Sequence, residues 1–270
     1  MMIDSDFSLA GQVALVTGSG RGLGHAMAMR LAELGAAVAV HDRTETAPAE
    51  YGEFPTIADS DAAVASLGVP TSAVVGDISD EARVAAMVRE VEGALGPLTI
   101  LVNAAGGDIA AAGGKPDPNT GLGIKLEDVR ALVDRNFIGT MLVCRTAVPG
   151  MVERRAGAVV NVASSAGHFG VSPEVAYSSI KAAIVHYTRC LAYEVRPHNV
   201  RVNCVSPGAT ATARFKRTRT IDPAMLVEDG TLIRYGSPRD QANVVAFLCS
   251  PAARFVHGQF IRVDGGLTLF

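Results

Sequence analysis

The sequence predicts an α/β fold: a doubly wound, parallel, seven-stranded sheet with helices on both faces. Three observations carry this. Seven short runs are almost continuously apolar. Amphipathic stretches of helical length separate most of them. The first run ends in a glycine-rich turn that opens directly into a helical pattern. Strands apolar on both sides are buried on both faces, which is what a parallel sheet between two helical layers requires.

The elements follow in order. Gln12–Thr17 (Q-V-A-L-V-T) is the first strand and Gly22–Leu34 its helix. Ala37–His41 is strand two and Ser72–Val75 strand three, with a helix from about Asp80 to Ala94. Leu98–Asn103 is strand four, followed by a long helix from about Leu126 to Val148. Ala158–Val162 precedes a helix over Glu174–Val195, and Arg201–Val205 is strand six. Pro238–Leu248 and Gln259–Val263 close the chain. Two connections, about 43–71 and 107–125, read as long loops, the kind that is more often functional than inert. No stretch reads as a linker, so residues 1–270 are expected to form one domain.

Composition removes several function classes. With 49% apolar residues and 19% charged, the chain is ordinary globular material, and its net charge of −3 argues against nucleic acid. The longest stretch without a charged side chain, Ala156–Pro173, holds Asn161, three Ser, three Gly and a His, so no membrane span is expected. Asp4 and Asp6 stand where a leader would be basic. Cys144, Cys190, Cys204 and Cys249 are widely spaced in apolar surroundings. They read as small core residues in a reducing cytoplasm, with neither a metal site nor a disulfide frame.

The turn Thr17-Gly18-Ser19-Gly20-Arg21-Gly22-Leu23-Gly24 places free N–H groups and the positive end of a helix dipole above a strand tip, where a pyrophosphate fits. Asp42 follows eighteen residues after Gly24, at the tip of strand two, where an acid can hold both hydroxyls of an adenine ribose. A ligand-free tight turn is the competing reading. Tyr177 and Lys181 lie four apart on a helix and share a face. A cation that close typically lowers an acid's pKa by about 1–3 units, which would make Tyr177 a general acid/base. Ser164, favoured over Ser165, can donate to the reacting oxygen. His168 could touch substrate, although a histidine in a loop is more often a satisfied surface residue. A serine hydrolase is disfavoured, because no G-x-S-x-G elbow exists.

Six segments in this order resemble the short-chain dehydrogenase/reductase family. They are T-G-x-x-x-G-x-G from Thr17, Asn103-Ala104-Ala105-Gly106, Asn136, Ser164, Tyr177-x-x-x-Lys181 and Pro207-Gly208-x-x-x-Thr212. Val263-Asp264-Gly265-Gly266 resembles the family's C-terminal end. The resemblance implies a Rossmann-like fold and an NAD(P)-dependent oxidoreductase interconverting a secondary alcohol and a ketone by hydride transfer at nicotinamide C4. It implies catalytic roles for Asn136 (proton relay), Ser164, Tyr177 and Lys181, which also holds the nicotinamide ribose. Cofactor contacts are implied at Gly18, Gly20, Arg21, Gly22 and Leu23 in the turn, at Asp42 and Arg43, and at Asp77 and Ile78. They continue at Asn103, Ala104 and Gly106, at Tyr177 and Lys181, and at Pro207, Gly208, Thr210 and Thr212. For Asp77 a helix N-cap is the alternative, since Asp77 or Ser79 precedes a helical run, and for Asn136 a buried side chain bonding local backbone.

Asp42 points to NAD, since it repels a 2′-phosphate; Arg43 and Arg21 keep NADP open. The alternatives are an NADPH-dependent ketoreductase of the β-ketoacyl-carrier type and a non-catalytic dinucleotide-binding module. Segment 209–235 is expected to act as a substrate lid. Its Arg214, Lys216, Arg217 and Arg219 suggest an anionic substrate, against the competing reading of a solvated loop face or a subunit contact. The resemblance also implies a homotetramer, with the two long helices packing across an axis.

Overall fold

The computed structural model describes residues 5–227 and 230–269. Its sheet has seven parallel strands in the order β3-β2-β1-β4-β5-β6-β7. They are β1 Val13–Thr17, β2 Ala37–Asp42, β3 Thr71–Val75, β4 Ile100–Asn103, β5 Gly157–Val162, β6 Val200–Pro207 and β7 Phe260–Val263. The expected boundaries hold to within about two residues, the usual uncertainty of element ends.

Residues alternate between two cores, as a period of two demands. Ala14 and Val16 of β1 face one core, where α1 (Gly22–Glu33) and α8 (Pro238–Cys249) pack. Val13 and Leu15 face the other, under α3 (Glu81–Leu95), α5 (Gly139–Arg154) and α6 (Val175–Val195). The chain starts in mid-sheet at β1, runs outward through β2 and β3, then returns to the other side of β1 as β4. That reversal opens a crevice between the carboxyl ends of β1 and β4, where ligands bind in open α/β sheets.

Several expectations need correction. The 43–71 connection is not a plain loop: it holds a 3₁₀ turn at Ala47–Tyr51 and the helix α2, Ile57–Ala65. A parallel crossover from β2 to β3 needs such a helix. It starts with a Thr56/Asp59 capping box and buries only Ile57, Ser60 and Val64, a weak apolar stripe in a run of small residues. The long helix does not stop at Val148. It runs as α4 (Leu126–Val133), a π turn (Asp134–Ile138) and α5, which continues through Pro149 to Arg154. Glu174 precedes α6 rather than beginning it, with φ of +83°. The N-cap of α3 is Asp80, accepting from Arg83 N–H at 3.0 Å, and not Asp77 or Ser79. Cys144, Cys204 and Cys249 are buried, but Cys190 is exposed, because its position on α6 faces away from the sheet. The lid segment contains α7 (Ala213–Thr218) and a 3₁₀ turn at Pro223–Met225; its positions 228–229 lie outside the described residues. Among the described residues no helix is long and apolar enough to cross a membrane.

Candidate active site

The glycine turn is built by backbone contact. Gly18 has φ of +66°, and a Cβ there would lie 2.6 Å from Ala105 Cα. Its N–H donates to His41 Nδ1 at 3.1 Å. An acceptor at Nδ1 leaves the proton on Nε2, which donates to Gly76 O at 3.0 Å. Burial pushes His41 down to about 4, so the ring is neutral and ties the tips of β1, β2 and β3 together. Helix α1 then begins at Arg21 with no side-chain cap. The N–H of Gly22 is instead taken by Glu53 Oε2 at 2.8 Å.

Beside this turn runs a groove of about 610 Å³. Gly18, Arg21, Gly22 and Leu23 form one side. Asp42, Arg43, Asp77 and Ile78 form one end, and Ala104, Gly106 and Thr212 form the other. Close-packed glycine backbone, a helix start whose first amide already holds an anionic group and a carboxylate at the β2 tip are the donor and acceptor set that a dinucleotide needs, and the residues present fit it. Asp42 accepts from Arg43 N–H at 2.8 Å, and burial raises its pKa. Arg21 is committed elsewhere: it pairs with Glu50 at 2.5 Å and lies over the Tyr51 ring.

Two predicted contacts are not among the residues that line this groove. Gly20 packs against Asp42 and Pro48, where a Cβ would sit 2.6 Å from Asp42 Oδ2 and 2.7 Å from Pro48. Asn103 is buried inside the sheet and donates to Asn161 Oδ1 at 2.9 Å.

A second cavity, of about 350 Å³, joins the groove at Ala104, Gly106 and Thr212. Ser164, Tyr177 and Lys181 line it, with Pro207, Gly208 and Thr210 opposite. Helical spacing puts Tyr177 and Lys181 on one face of α6, with Lys181 Nζ 5.6 Å from the tyrosine ring centre. Lys181 is buried and donates to Val162 O at 3.0 Å. Desolvation outweighs the lowering expected from this lysine. Burial pushes the phenol up to about 12, against the opposing pull of Arg214 and of a hydrogen bond with Ser164. The same desolvation brings Lys181 down to about 8.

Asn136 sits in the π turn, fully buried. Its amide donates to Leu132 O and Gly107 O and its oxygen accepts from Gly107 N–H at 2.8 Å. The extra residue of a π turn frees a carbonyl, and Asn136 takes it up while pinning the loop after β4. The alternative reading of Asn136, a side chain bonding backbone, is therefore present in the structure. His168 bonds Ser206 Oγ at 2.8 Å and stacks on Phe260, away from the cavity lining.

Four contributors escaped the sequence reading: His41, Glu53, Asp108 and Glu174. Asp108 and Glu174 line the catalytic cavity together with Lys115. Glu53, Asp108, Lys115 and Glu174 come from connecting segments, and no spacing rule links such segments to the motifs; His41 lies in β2, where it reads as an ordinary strand residue. Among the described residues no cluster could hold a metal ion.

A family profile described as Enoyl-(Acyl carrier protein) reductase matches residues 18–268. The chain is 36% identical over 269 residues to a cyclohexanol dehydrogenase of Rhodococcus sp. (strain TK6), covering 96% of this chain and 97% of that one. It is 31% identical to a 3-oxoacyl-[acyl-carrier-protein] reductase of Synechocystis sp., over 97% and 99% of the two chains. A solved 7α-hydroxysteroid dehydrogenase, complexed with NADH and 7-oxo glycochenodeoxycholic acid, superposes with a TM-score of 0.82 at 30% identity, covering 98% of each chain. The fold and these relatives define an NAD(P)-dependent oxidoreductase, an enzyme of CH–OH donors. The chain belongs to the short-chain dehydrogenase/reductase family.

Proposed function

We propose that this enzyme interconverts a secondary alcohol and a ketone with NAD, using Tyr177 as general acid/base. The convergence of Ser164, Tyr177 and Lys181 on one cavity that opens into the dinucleotide groove carries this reading. The bound nicotinamide supplies or accepts the reducing equivalent. Tyr177 holds the proton of the reacting oxygen. Its high pKa keeps the phenol protonated at neutral pH, ready to donate during reduction. Ser164, bonded to that phenol, supplies a second donor to the same oxygen. Lys181 stays charged below about pH 8 and, anchored on Val162 O, faces Gly106 across the junction of the two cavities. Asn136 fixes the Gly107 segment and acts as the relay only if water reaches its backbone partners.

NAD is the preferred cofactor in this reading because Asp42 lines the groove while Arg21 is held on Glu50. Arg43, which also lines the groove, is the observation that favours an NADPH-dependent ketoreductase. Fluorescence titration separates the two. Wild type should bind NADH more tightly than NADPH, and Asp42→Ala should erase about 30-fold of that preference, the worth of one charge-assisted hydrogen-bonded contact. Tighter binding of NADPH by wild type would reverse the assignment.

Residues 1–270 act as one unit in this reading, with 209–235 closing over substrate, and the enzyme works in the cytoplasm. A homotetramer is expected. Sedimentation should return four times the 28.0 kDa chain mass, and a monomer at micromolar concentration would refute it.

A further inference from the structure

The wall of the catalytic cavity carries four cations, Lys115, Lys181, Arg214 and Arg219, and two carboxylates, Asp108 and Glu174, with Lys181 held on Val162 O. Glu174 is nine-tenths buried and consumes two of the cations, pairing with Lys115 and with Arg219 at 2.6 Å each. Asp108, also buried, accepts from Asn119 at 2.8 Å and lies 3.6 Å from Lys115. Arg214 is left over. Its guanidinium donates to the backbone oxygen of Asp108 at 2.9 Å, and among the described residues it forms no ion pair. Its neighbours Lys216 and Arg217 are exposed and line neither cavity. The cation-rich lid segment therefore contributes one uncompensated charge to the pocket, at one position.

The chain makes room for that charge. Gly107 has φ of +137°, and a Cβ there would lie 2.1 Å from Arg214 Nη1. Any side chain at 107 would push the guanidinium off its seat. Arg214 is half-buried, on the first turn of α7, and is the cation that acts most strongly on the Tyr177 phenol. A partly desolvated guanidinium with one neutral acceptor is a fork awaiting an oxyanion.

We propose that Arg214 is the anion-binding group of the substrate pocket, so that the alcohol or ketone taken there carries a carboxylate or a similar oxyanion. This rests on the reading of the cavity as the alcohol–ketone site. At about 350 Å³ the cavity is near the small end of ligand pockets, so the substrate is a small hydroxy or oxo acid. Because Arg214 lines both the cavity and the groove, a phosphate of the dinucleotide is the other source of an oxyanion, and the experiment separates the two.

The probes are 4-oxopentanoate and 2-pentanone, which share a carbon chain and differ by a carboxylate. Calorimetry would measure their binding with and without saturating NAD⁺, a combination that cannot turn over. Wild type should bind the oxo acid about 30-fold more tightly than the ketone, the scale of a charge-assisted pair. Arg214→Gln should bring the two to parity, while Lys216→Gln keeps the difference. If Arg214→Gln does not fold, Arg214→Lys keeps the charge without the fork and should show a reduced advantage. Equal binding of the two probes by wild type overturns the proposal. So does an advantage that survives loss of the guanidinium, or an Arg214→Gln protein that loses NAD⁺ affinity with the probe ratio unchanged. A binding advantage without turnover of 4-hydroxypentanoate by either dinucleotide would sink the alcohol–ketone reading and leave the anion site standing.

Discussion

Tyr177→Phe should lower turnover by about 1,000-fold, within the range that positioned acid–base groups contribute, while NADH binding stays within a few-fold of wild type. Phenylalanine keeps the ring that packs near Lys181 and removes only the hydroxyl that bonds Ser164. Loss of kcat without loss of cofactor affinity is therefore the signature of a missing proton donor, not of a collapsed site. The pH dependence has a definite sign. A phenol pushed up to about 12 is protonated across the working range, so ketone reduction should be flat at neutral pH and alcohol oxidation should quicken as pH rises. Turnover by the variant within tenfold of wild type would remove Tyr177 from the chemistry.

Gly24→Ala should be the most damaging small substitution in the chain. Ala is the better helix former by about 1 kcal/mol, and Gly24 lies inside α1. Steric contact outweighs that preference: a Cβ would sit 2.1 Å from Gly18 O and 2.7 Å from Gly18 C. Both are backbone atoms of the glycine turn, so no rotamer change relieves the clash. Overpacking of this kind costs about 3 kcal/mol, a fall in Tm of roughly 10 °C for a chain of this size, and NADH binding should fail with it. The control is Gly93→Ala in α3. Nothing lies within 4 Å of its added Cβ, and the same substitution there should stabilise by up to about 1 kcal/mol. Equal melting temperatures for the two variants would contradict the packing account.

The strands themselves and the motif-bearing tips were legible in the sequence because they depend on local rules; the order of the strands in the sheet was not read from it. Period-two burial exposes β1 and β4 as apolar runs, and the glycine spacing after Thr17 answers to one close backbone approach. Tyr177 and Lys181 were legible for the same reason, since four residues make one helical turn. The electrostatics between them were not. Proximity alone predicts a lowered phenol, whereas desolvation, a property of the packed cavity, decides the sign. Helix α2 was missed because I-A-D-S-D-A-A-V-A offers too few large apolar side chains to reveal its buried face. The π turn left no mark because one extra residue in a helical run changes no composition. Asp108, Lys115 and Glu174 meet across 59 positions through paired side chains such as Lys115 and Glu174, a distance over which no sequence pattern operates. The four lid cations were visible as a group, but only packing distinguishes Arg214 and Arg219, which line the pocket, from Lys216 and Arg217, which do not, and Arg219 from Arg214 by its pairing with Glu174.

The contact between Glu53 and the N–H of Gly22 bears on how a nucleotide is taken up. The Gly22 amide, which the proposed cofactor reading assigns to a phosphate, already donates to a carboxylate supplied by the chain itself from the segment after β2. In that reading loading would be an exchange of tenants: a carboxylate would return to water as a phosphate arrived, and the helix start would keep an anionic partner throughout. What the dinucleotide gained at that amide would be the difference between two anions' hold on it, so the segment carrying Glu53 would set part of the cofactor's affinity without having to touch it.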